Sequence, residues 1–170
     1  VWEHWATQGP LYYLMGLLTW NPRLDGQAIL EDYYRRAFGP VSAEMKAYWE
    51  LLESTRMDYM KNRKEKKMVK GEQNFVEFYN KAFFDKAYGY LDAAAKKAGP
   101  ADGKYAKRVA FFRLGLDHTQ IVMDTFQLMD KYVEGGQKDE ALKKQVLDNW
   151  VKMENNSKVK IRKKSFRNFH

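Results

Sequence analysis

The chain has 170 residues, 45% hydrophobic and 31% charged, a composition that folds as one domain around a proper core and excludes intrinsic disorder. It contains no cysteine, which excludes disulfides and thiolate metal sites, and its longest apolar run, Leu11 to Trp20, is too short to span a bilayer. The formal charge of +8 is unevenly placed: residues 61–70 hold six Lys/Arg and one Glu, residues 158–170 hold six Lys/Arg and no acid, and removing both runs from 30 basic and 22 acidic residues leaves 18 against 21. The body is therefore mildly acidic, and the basicity belongs to one expected loop and one tail. No signal peptide is legible. The chain opens on Val-Trp-Glu rather than Met, so it is expected to be part of something longer.

Residues 1–8 are aromatic, short and without a period. Residues 10–20 (PLYYLMGLLTW) predict a short helix, with Pro10 in its first turn and apolar side chains nearly all round, so cover is expected on several sides. Asn21-Pro22 stops it. Asp25 is the expected cap of a helix over 26–38, where Ile29, Tyr33 and Ala37 recur at every fourth position. Gly39-Pro40 ends that helix, and Ser42 is expected to cap the next, over 43–60, with Met45, Tyr48, Trp49 and Leu52 at helical spacing.

The charged stretch 61–72 predicts a frayed end plus loop. Residues 74–98 predict one helix, striped by Phe75, Phe78, Tyr79, Phe83, Ala87 and Leu91, with Gly99-Pro100 as its stop. The strongest pattern is 103–134. Tyr105, Val109, Phe112, Leu116, Thr119, Met123 and Phe126 alternate spacings of four and three, which predicts a long seam at the centre of the domain. Gly135-Gly136 ends it, and a last helix over 138–155 carries Leu142, Val146, Trp150 and Met153 on one face. The expected fold is all-α, a bundle of about five to six helices around the long central one.

No complete catalytic site is legible. His4, His118 and His170 are not within helical reach of one another, and His118 mid-helix reads as a structural histidine. Glu31, Asp32, Glu44, Asp117 and Asp124 read as solvated helix faces, because a glycosidase pair must face each other across a sugar and sequence shows no such pair. No phosphate-binding glycine loop and no GxSxG occurs. The basic runs, with Phe166 and Phe169 in the tail, offer a nucleic-acid reading, but solvated lysines at a loop and a terminus are the commoner outcome. Of the aromatic group near the start, Tyr12, Tyr13 and Trp20 are expected in the core. For Trp2 and Trp5, packing and stacking on a sugar ring both stay open.

The run from Gln8 to Glu53 contains Trp20-Asn21-Pro22 with Asp25, then Tyr33-Tyr34, Phe38-Gly39-Pro40, and Met45, Tyr48 and Trp49. It resembles the region after the catalytic barrel in bacterial glycoside-hydrolase-like proteins catalogued as domain of unknown function 4838. α-Glucuronidases and hexosaminidases share the theme. Residues 108–119 also resemble a later helix of that family, whereas 61–72 and the basic tail do not match it.

The resemblance implies that residues 1–9 are the remnant of a last barrel loop, 10–157 a C-terminal helical domain, and 158–170 a basic tail. It implies a structural or accessory role beside the parent protein's own barrel, in a periplasmic or secreted protein of carbohydrate metabolism. Barrel enzymes keep their catalytic groups at strand ends, so no catalytic residue, metal or cofactor is expected in this chain. Trp5 as a stacking platform and Gln8 as a hydrogen-bonding group are the substrate-facing candidates, and carbohydrate the candidate ligand. Nucleic acid and membrane are not the expected partners. Two rivals stand beside this reading: a stand-alone interaction module that binds acidic partners through 61–70 and 158–170, and an independent sugar-binding module that uses exposed tryptophans.

Overall fold

A computed structural model describes residues 5–65 and 75–155, with the side chains of residues 5–7 and 65 left out of the description. Trp2, His4, His170, the basic run beyond residue 65 and the basic tail lie outside the described residues.

Helix α1 (Trp5–Trp20) starts five residues before the expected Pro10. Residues 5–9, expected in a loop, are its first turns, and Pro10 sits inside the helix. Proline there removes one main-chain bond near the helix start. Tyr13 donates to the Asp32 carboxylate at 3.2 Å and ties α1 to the next helix. Trp20, expected in the core, is 91% exposed. It is the last residue of α1, where the chain turns away and no helix among the described residues covers it.

Helix α2 (Gly26–Phe38) begins as expected, because the Asp25 side chain accepts from the Gln27 N–H at 2.8 Å. It buries Ile29, Tyr34 and Phe38. Its end is set by Gly39 at φ +50° and ψ −114°, a conformation open to glycine and costly for other residues. A Cβ at Gly39 would stand 2.5 Å from the Tyr105 ring, so close packing demands glycine there as well. The last carbonyls of α2 find a partner across the bundle: Arg108 donates to the Ala37 carbonyl at 2.5 Å.

A short 3-10 turn, Gly39–Val41, leads directly into α3 (Ser42–Glu65). Ser42 has ordinary helical dihedrals and does not act as the expected side-chain cap, because the tight turn leaves no extended residue between the two elements. α3 buries Met45, Tyr48 and Trp49 at the expected spacing and runs five residues past the expected end. The Lys, Arg and Glu of that extension are good helix formers.

The single helix expected over 74–98 is two: α4 (Phe75–Phe78) and α5 (Lys81–Lys97). Asn80 breaks them apart. Its backbone is extended and its side chain accepts from the Phe83 N–H at 3.2 Å, so a residue within the apolar stripe works as a cap. Helix α6 (Lys104–Glu134) is the long central element, 31 residues, and α7 (Glu140–Asn155) follows, capped by the Asp139 carboxylate.

The fold is thus all-α, with no strand among the described residues, six helices of three turns or more, and α6 as spine. α2, α3, α5 and the first two thirds of α6 enclose the core. At its centre Phe38 and Trp49 both meet Phe112 edge-to-face, with centroids 5.4 and 5.6 Å away. Among the described residues α7 packs on α6 and on little else, and none of its residues is buried. Trp150, expected on its packed face beside Leu142 and Val146, is 55% exposed.

Candidate functional site

A cleft of about 610 Å³ lies between α1, α2, α3 and α6, with α4 at one end. This lies in the range of small-molecule pockets, roughly 300–1,000 Å³. Its walls follow from helical spacing. Leu11 and Leu14 come from one face of α1, Leu52 from α3, and Leu116, Met123 and Phe126 from the seam of α6. The seam that sequence periodicity assigns to a closed core is therefore partly a cleft wall.

Polar groups gather at one end. Arg56 lies one turn beyond Leu52 on α3, and Tyr79 stands at the break between α4 and α5. Burial raises the Tyr79 hydroxyl above its ordinary range while the Arg56 charge pulls it down, so the two groups are near neighbours and the hydroxyl keeps its proton. Arg56 makes no ion pair among the described residues. Glu53 lines the same cleft one turn earlier. The Thr119 hydroxyl donates to the Gly115 carbonyl at 2.9 Å and is occupied.

Of the expected substrate-facing residues, Gln8 is exposed and lines the cleft from the first turns of α1. Trp5 lies on the same helix, three residues before it, and its side chain is outside the description. Arg56 and Tyr79, 23 positions apart in the chain, were not singled out by their spacing. The one local signal was Leu52 and Arg56 at i,i+4 on a helix.

The acidic residues on the helix faces are mostly engaged elsewhere. Glu31 pairs with Lys46, and Asp32 with Arg35 and Arg36; each carboxyl is held below its ordinary range by those partners. Glu44 pairs with Lys97, which lowers it likewise. Asp117 accepts from the Tyr88 hydroxyl at 2.8 Å across the α5–α6 contact. Asp124 lines a smaller groove of about 410 Å³ between α6 and α7, together with Lys131, Asp148 and Lys152, and desolvation raises its carboxyl.

His118 is half-buried with Nδ1 enclosed and unpartnered, and desolvation lowers its pKa. Among the described residues no acid is hydrogen-bonded to it, so none of them supplies the orienting partner that a general base needs. No group of three or more potential metal ligands occurs among the described residues. No helix of the described residues is long and apolar enough to cross a membrane. No protein-family model, curated protein or solved structure matches the chain.

Proposed function

We propose that this chain is the C-terminal helical accessory domain of a larger glycoside-hydrolase-like, carbohydrate-active protein, with a structural role and no catalysis of its own. The observation that carries the reading is the state of α1. It is apolar nearly all round, yet α2 and α6 cover only part of it, and Met15 and Trp20 are 55% and 91% exposed. An apolar helix left open in this way calls for cover from another surface. In this reading the cover is the parent barrel, and Trp5 and Gln8 at the start of α1 lie toward the rim of its cleft.

The residues that carry the family likeness also support it. Trp20 to Asp25 form the α1–α2 turn, Phe38 and Gly39 the close approach to α6, and Met45, Tyr48 and Trp49 the buried face of α3. They are scaffold positions, which suits an accessory role.

The reading requires a barrel-sized run of alternating strands and helices encoded upstream of Val1. Expressed as a separate polypeptide, that segment should bind this chain, and Met15→Glu with Trp20→Glu should weaken the complex at least about tenfold. Glycosidase turnover by this chain alone, or an upstream sequence with no barrel pattern, would overturn the reading. In the full-length protein, Trp5→Ala and Gln8→Ala should lower substrate affinity; unchanged affinity would remove both from the rim.

A further inference from the structure

Independently of that reading, we propose that the cleft between α1, α2, α3 and α6 binds a single-chain amphiphile with a carboxylate head, a free fatty acid in chemical class. The walls define the tail. Leu11, Leu14, Leu52, Leu116, Met123 and Phe126 present hydrocarbon and ring surface along the trough, and its 610 Å³ suits a medium-length chain. A sugar would leave most of its hydroxyls facing that surface without partners, which is costly.

The polar end defines the head. Arg56 makes no ion pair among the described residues, and the Tyr79 hydroxyl near it retains a proton to donate. Together they offer charge-assisted hydrogen bonds to a carboxylate. Glu53 on the same wall disfavours a head with more negative charge, such as a phosphate dianion. Burial of the chain against leucine and methionine would supply the affinity, at about 0.8 kcal/mol per buried methylene. The guanidinium supplies the preference for an acid over an alcohol.

The test is displacement of fluorescent dansylaminoundecanoate from the whole chain, below the critical micelle concentration. Dodecanoate should displace it about tenfold more tightly than dodecanol. Arg56→Glu, at an exposed position, should abolish that preference while dodecanol still binds. Leu52→Trp should block both ligands, with circular dichroism checking the helix content; Leu30→Trp, from α2, serves if Leu52→Trp unfolds. Absence of probe binding to the whole chain would overturn the proposal. So would equal binding of acid and alcohol, or Arg56→Glu with wild-type selectivity. Co-sedimentation of the chain with phosphatidylglycerol vesicles, without displacement of the probe by dodecanoate, would mark a lipid surface instead and overturn it too.

Discussion

The two ends of α6 obey one sequence rule and meet different fates. In the first part, Val109, Phe112 and Leu116 are each under 4% exposed, enclosed by α2, α3 and α5. In the last part, at the same spacing, Phe126 on the cleft wall is 40% exposed and Val133, where α7 is the main neighbour, 58%. A periodic stripe says that a helix face seeks cover; it does not say how many neighbours arrive. Two helices alone cannot enclose a core layer, so the α6–α7 hairpin keeps apolar surface that the bundle does not.

This contrast is broken most severely by truncating one aromatic residue on each side. Phe38→Ala, which empties a fully enclosed site against Phe112, should cost about 3–5 kcal/mol in chemical denaturation. Trp150→Ala on the hairpin should stay within about 0.5 kcal/mol. Equal losses would mean that the hairpin is covered in solution.

Gly39→Ala tests the closest approach between α2 and α6. Backbone strain alone should cost about 1–3 kcal/mol, and the overlap with Tyr105 adds to it. A double-mutant cycle with Tyr105→Ala should return the steric part as a favourable coupling; strict additivity would place the cost in the backbone. Arg108→Met removes the donor to the Ala37 carbonyl and should cost about 1–2 kcal/mol by the same measurement.

The smallest effect belongs to His118. Its folded pKa lies below the ordinary value, so between the two values the unfolded chain binds the proton and the folded chain does not. Stability is complete above about pH 6.5 and declines as pH falls toward the folded pKa. His118→Gln should flatten that slope in denaturation midpoints measured from pH 5 to 7. An unchanged slope would assign it to other groups.

The fold class, the long central helix and the cap at Asp25 were legible because each is written in contiguous residues. The break at Asn80 was not, since Asn80 lies within a continuous aromatic stripe from Phe75 to Phe83 and its capping role depends on local dihedrals. Trp20 and Trp150 read as packing residues because their spacing fits a buried face, but spacing carries no information about a missing neighbour. Of the cleft lining, Gln8 is the residue that the sequence reading assigns to a substrate-facing role. Arg56 and Tyr79 come together because α3 and the α4–α5 break converge, a relation between distant segments.

What the sequence by itself determined is local: where helices start, their apolar faces, the glycine at the α2–α3 corner, and the absence of thiol chemistry. These follow from backbone sterics, caps and side-chain periods, which act over a few residues. What only the tertiary structure decided is which apolar faces meet. It closed the first part of α6 into a core, opened its middle into a cleft with Arg56 at one end, and left α1 and the hairpin partly bare. Burial depends on the number of helices that converge on a face, and that number is a property of the whole chain.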